Sequence, residues 1–134
     1  MCIFCKIING EIPSYKIYED DNFLAFLDIS QTTKGHTLVV PKKHFDNLLT
    51  MDSNILEMML PLSKKLALSI KEATNALGFN ILNNCGEIAG QSVMHFHIHI
   101  IPRYENDKFN INFSSNSLTN EEFIELCAQI KNKL

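Results

Sequence analysis

The 134-residue sequence predicts an α+β fold: an antiparallel sheet of about five strands with one long helix and a C-terminal helix. Three observations carry this. Five short segments rich in branched and aromatic residues are bounded by turn residues, a long stretch repeats apolar residues at three- and four-residue steps, and a shorter such stretch closes the chain. With 46% hydrophobic residues, one domain over residues 1–134 can bury a core without covalent staples.

The elements follow in order. "YKIYEDDNFLAFLDIS" reads as two strands joined by an acidic turn at Glu19 to Asn22. "GHTLVVP" is a third, opened by Gly35 and stopped by Pro41. From Ser53 to Leu77, Ile55, Met59, Leu62, Leu66, Ile70, Ala73 and Leu77 form the stripe of an amphipathic helix, with Gly78 as its stop. Pro61 inside that span implies a start as late as Pro61 or a bend there. "FNILNN" is a strand, "GEIAGQ" a loop, and "MHFHIHIIP" a strand ended by Pro102. The asparagine-rich stretch after Tyr104 is a surface loop with a short extended piece at Phe109 to Phe113. A last helix starts near Thr119, where Thr119 and Glu122 have capping-box spacing and Phe123, Cys127, Ile130 and Leu134 form a stripe.

Composition narrows the function. A net charge of −3 with a single arginine, Arg103, argues against binding polymeric nucleic acid, which needs a basic surface. No segment approaches the apolar length of a membrane span or the pattern of a secretory signal, so a cytoplasmic protein is expected, with its four cysteines reduced.

Strand alternation sets His95, His97 and His99 on one face and Phe96, Ile98 and Ile100 on the other. The apolar set would enter the core and the imidazoles a cleft. Alternate residues lie roughly 6.6 Å apart, so the three rings can hold distinct roles. A lone histidine on a strand is ordinarily structural, but three in strict alternation beside a glycine-containing polar loop point to chemistry. Two readings stand: ligands of a catalytic zinc, or a nucleophilic imidazole oriented by its neighbours. The loop "NNCGEIAGQSVMH" offers Asn84, Gln91 and Ser92 as neutral donors, while Gly86 and Gly90 let backbone amides approach an anion, which suits a phosphate. Cys2 and Cys5 have the spacing of half a zinc site, with His44 a third possible ligand; ordinary thiols are the alternative reading. A thioredoxin-like redox pair fits less well, because no strand can precede Cys2.

The run from His95 to Ile101, the preceding "AGQSVMH", the opening "IFCKIINGEIPSYKIYEDD" and "AFLDIS…KGHTLVVPKKHF" together resemble the histidine triad hydrolases, over roughly residues 2–104. A histidine at 99, where the uridylyltransferase branch carries glutamine, resembles the hydrolases, and the N-terminal motifs are closer to the Hint branch than to the Fhit branch. The resemblance implies cleavage of nucleoside 5′-phosphoramidates or related conjugates at the α-phosphorus, with dinucleoside polyphosphate hydrolysis the alternative. A zinc-stabilised nucleotide-binding module with little turnover is the reading from another class. By the same matching, His97 is the nucleophile, and His99, Ser92, Asn84, Gly90 and Gln91 serve the phosphate. Asp28 takes the ribose hydroxyls, and Ile3, Phe4, Ile7, Phe26 and Ile29 line a slot for a purine base. The match further proposes Cys2, Cys5, His44 and His95 as a closed structural zinc site, and a homodimer. His36 has no comparable partner in the sequence and is expected to be structural or solvated.

Overall fold

A computed structural model describes residues 1–134. Strands β1 (Lys16–Glu19), β2 (Phe23–Leu27), β3 (Thr37–Pro41), β4 (Gly78–Leu82) and β5 (Ile98–Arg103) form one antiparallel sheet in the order β1-β2-β3-β5-β4. Three helices accompany it: α1 (Ile3–Ile8), α2 (Ser53–Thr74) and α3 (Asn120–Lys131). The α+β architecture is the expected one.

Side-chain alternation divides the core between the two sheet faces. Phe23, Ala25, Val39, Phe96, Ile98 and Ile100 pack with Met59, Leu62, Leu66 and Ile70 of α2. Leu24, Phe26, Leu38 and Val40 turn the other way and pack with Phe4 and Ile7 of α1. Thr37–Pro41 is therefore buried throughout, as a strand covered on both faces must be. The triad histidines share the α1 face.

Four local expectations need correction. The six residues of α1 were not anticipated; one and a half turns are too short to show a period, and the cap is a thiol, with Cys2 Sγ accepting the Cys5 N–H at 3.3 Å. Helix α2 begins at Ser53, capped by Asp52, and runs through Pro61. It ends at Thr74 because Asn75 takes the left-handed conformation (φ 60°) that an asparagine tolerates, so Gly78 opens β4 instead of stopping the helix. The ladder of β5 starts at Ile98, not Met94: ahead of it, the Phe96 N–H donates to the Phe45 carbonyl at 2.7 Å, beyond the end of β3. Phe109 to Phe113 forms no strand. The Thr119–Glu122 capping box of α3 is present, each side chain bonded to the other's backbone N–H.

Candidate functional site

One cavity of about 370 Å³ opens on the α1 face. Its lining includes Ile3, Phe4, Ile7, Phe26 and Ile29, the five apolar residues expected to hold a base, together with Asp28, Ser92, His97 and His99. Ile29 sits at the rim, 86% exposed. The size is that of a small-molecule site. Ser14 also lines it, and its hydroxyl is buried with no hydrogen-bond partner.

The hydrogen bonds determine which nitrogen of each ring carries the proton. His97 Nδ1 lies 2.7 Å from the His95 carbonyl, which can only accept, so Nδ1 is protonated and the Nε2 lone pair is free. Burial holds His97 below the usual histidine pKa, keeping the ring neutral. His36, expected to be solvated or structural, is 4% exposed and bonded to the triad. Its Nδ1 accepts the Thr32 N–H at 3.2 Å, so its own proton sits on Nε2 and is donated to His99 Nδ1 at 2.9 Å. His99 must then carry its proton on Nε2. Burial, with His97 and His36 nearby, pushes His99 down to about 4, and burial likewise lowers His36. A neutral His99 is thus fixed as an Nε2–H donor beside a neutral His97 acceptor, with ring centroids 4.9 Å apart. Sequence separation hid His36: it is 63 positions from His99, and only the β3–β5 pairing brings the two together.

Ser92 reaches the cavity, while Gly90 and Gln91 line an adjoining concavity with it. Gln91 is not a free donor. It is 2% exposed, its amide nitrogen donates to the Asp46 and Val93 carbonyls, and its oxygen accepts the Gly86 N–H. Asn84 likewise spends one amide hydrogen on the Gly90 carbonyl at 3.3 Å. Both residues shape the loop. Gly90 has φ 92°, which a side chain would strain. Asp28 braces its own turn by accepting the Ser30 N–H, and its other oxygen lies 3.8 Å from His36 Nε2.

The second cluster comprises Cys2, Cys5, His44 and His95. The sulfurs are 3.3 Å apart, the four sulfur–nitrogen separations run from 3.4 to 3.7 Å, and the two Nδ1 atoms are 3.1 Å apart. Six such edges describe a tetrahedron, and metal–ligand bonds of 2.0–2.3 Å need edges of about 3.3–3.8 Å. Chemistry argues more strongly than size. His95 Nε2 faces the Pro41 carbonyl at 2.8 Å and His44 Nε2 faces Asp46 at 2.9 Å, so both protons sit on Nε2. With both rings neutral, two Nδ1 lone pairs then face each other, an arrangement that a bound cation relieves. These four residues could hold a metal ion, and the carboxylate behind His44 is the usual second support. That carboxylate also raises the His44 pKa, whereas burial lowers that of His95.

The family model described as HIT domain matches residues 9–106. The chain belongs to the HIT family. Among curated HIT relatives, an uncharacterized HIT-like protein of Borreliella burgdorferi is 49% identical over 132 residues, covering 96% of this chain and 95% of that one. Adenosine 5′-monophosphoramidase hnt1 of Schizosaccharomyces pombe is 39% identical over 135 residues, covering 99% and 98%. A crystal structure of a HIT family member from Bacillus subtilis superposes with a TM-score of 0.92 at 46% identity, over 99% of this chain and 96% of that one. A Zn-bound histidine triad family protein from Mycobacterium smegmatis gives 0.77 at 36% identity, over 99% and 97%.

Proposed function

We propose that this HIT protein hydrolyses nucleoside 5′-phosphoramidates, or related nucleoside monophosphate conjugates, through a nucleotidyl-histidine on His97. The observation that carries the reading is the His97 tautomer: Nδ1–H is bound to the His95 carbonyl, and the Nε2 lone pair is left for phosphorus. In the first step Nε2 bonds to the α-phosphorus, the P–N bond breaks, and the amine leaves with a proton from water. In the second, water bonds to phosphorus, the His97–phosphorus bond breaks, and the nucleoside monophosphate departs with His97 neutral again. His99 Nε2–H and Ser92 hold the phosphoryl oxygens as their charge grows, and Asp28 accepts from the ribose hydroxyls. The apolar slot takes a purine.

Zinc suits the second cluster. Closed by four protein ligands, it supplies structure and leaves no position for a reacting water. Cys2, Cys5, His44 and His95 would tie α1 to the His44 loop and fix His95, whose carbonyl orients His97. The Schizosaccharomyces pombe relative's phosphoramidase activity and the Mycobacterium smegmatis relative's zinc support both parts. The reading extends to one histidine triad domain acting as a homodimer in the reducing cytoplasm.

The test is to quench a reaction with adenosine 5′-phosphoramidate and map the adduct by mass spectrometry. An adenylyl group on His97 and release of AMP are expected. An adduct on another residue, or full turnover by His97→Ala, overturns the mechanism; faster turnover of diadenosine polyphosphates moves the substrate class to those.

A further inference from the structure

Helix α1 has one polar tie to the rest of the molecule. The backbone hydrogen bonds of residues 2–8 all end at or before Ile12. Only the contacts of the Cys2 and Cys5 sulfurs with His44 and His95 Nδ1, at 3.4 to 3.7 Å, reach farther along the chain. Six residues are too few to hold helical form alone, so α1 depends on that tie and on the packing of Phe4 and Ile7.

What α1 carries makes the tie matter. Ile3, Phe4 and Ile7 line the cavity of about 370 Å³. The Phe4 ring meets the His97 ring in a T-shaped arrangement, centroids 5.1 Å apart, and the Phe26 ring at 5.7 Å. One wall of the base slot is therefore held in place through two thiols.

Those two sulfurs are also set to react with each other. They lie 3.3 Å apart, the one thiol–thiol contact in the chain, and both residues are half-buried rather than sealed from solvent. Cys2 caps α1 with its sulfur, and a Cys-x-x-Cys pair at a helix N-terminus has the spacing that closes into a disulfide. An accessible thiol beside a resolving thiol is the arrangement of a redox sensor.

We propose that Cys2 and Cys5 are an oxidation site for peroxides, and that closing the pair releases α1 from the base slot; this rests on the zinc and nucleotide readings above. One sulfur bonds to a peroxide oxygen, the O–O bond breaks, and hydrogen peroxide leaves as water with a sulfenic acid on the cysteine. The second sulfur then bonds to the first, and the sulfenic oxygen departs as a second water. Two thiols and one hydrogen peroxide thus give one disulfide and two waters, with two electrons passing from sulfur to oxygen. A disulfide offers no thiolate to a cation, so His44 and His95 alone cannot keep the ion or α1. The Phe4 wall swings away from His97 and nucleotide affinity falls until the pair is reduced. In a reducing compartment such a bond is transient, a switch and not a staple.

The test treats the full-length, zinc-loaded chain with a small excess of hydrogen peroxide. Peptide mapping should find a Cys2–Cys5 disulfide, a chromophoric chelator should take up the zinc, and amide exchange over residues 3–8 should quicken. The dissociation constant for AMP should rise at least about tenfold, as follows if α1 is docked less than about a tenth of the time. Dithiothreitol with added zinc should reverse all four changes. Zinc retained, with oxidation confined to Cys85 or Cys127, overturns the oxidation site. A disulfide that leaves AMP affinity and amide exchange unchanged overturns its hold on the slot. A reduced chain that takes up no zinc or binds no AMP removes the underlying readings and the switch together.

Discussion

Two pairs of histidines lie side by side in this molecule, each at hydrogen-bonding distance, and they do opposite things. His36 Nε2 and His99 Nδ1 are 2.9 Å apart, and one proton fits between them, because the other nitrogen of His36 accepts from a backbone N–H. His44 Nδ1 and His95 Nδ1 are 3.1 Å apart, and when both rings are neutral no proton lies between them, because their other nitrogens both face acceptors. Distance alone does not distinguish a hydrogen bond from a metal site; the far nitrogen does. Between the pairs sits His97, whose tautomer depends on the backbone of one metal-pair member and whose neighbour His99 depends on the other pair.

The largest change is to remove what both pairs support. His97→Ala should lower kcat/KM for adenosine 5′-phosphoramidate by about four orders of magnitude or more, with no adenylyl adduct by mass spectrometry. Breaking the metal pair comes next: Cys2→Ala should lose the bound metal and destabilise the fold by on the order of 4 kcal/mol, read by elemental analysis and urea unfolding. Retention of stoichiometric metal in that variant would remove Cys2 from the site. Breaking the proton-sharing pair is milder. His36→Ala should lower kcat by about ten- to a hundredfold with metal content unchanged, and His36→Gln, whose amide can still donate to His99, should recover part of it. Equal losses in both variants would mean that His36 only fills space.

The pairs also differ toward acid. His99, faced by His36, His97 and Asp28, is held near 4 in the folded chain, against about 6.5 when unfolded. Between those values the unfolded chain binds more protons at this residue. Its contribution to stability is therefore complete above about 6.5 and is lost as the pH falls toward 4. Urea midpoints for wild type and His99→Gln should converge across that window. The smallest effect is outside both pairs: Ser14→Ala removes an unpartnered buried hydroxyl and should raise stability by up to about 1 kcal/mol in thermal unfolding.

Much of this was legible in the sequence, and the reason is periodicity. Alternation alone put Phe96, Ile98 and Ile100 into the core and the triad on the other face, and the residues matched to a base slot do line one cavity. Cys2, Cys5, His44 and His95, a set that only the family resemblance had put together, lie within reach of one another. What stayed hidden depends on long-range pairing or on hydrogen-bond accounting. His36 gains its partner only when β3 docks on β5. Gln91 reads as a donor until its amide is found spent on the Asp46 and Val93 carbonyls. The α2 terminus depended on an asparagine adopting a conformation more common for glycine. The amphipathic stripe of α3 was plain in sequence, but its own sheet does not bury it.

The most direct test of the two-pair account is long-range ¹H–¹⁵N NMR of the five imidazoles in the metal-loaded protein near neutral pH, which reports the proton on each ring nitrogen. The account predicts His97 protonated on Nδ1, His36 and His99 on Nε2, and His44 and His95 on Nε2 with metal-shifted Nδ1 resonances. An Nε2-protonated His97, or a His95 carrying its proton on Nδ1, would contradict it.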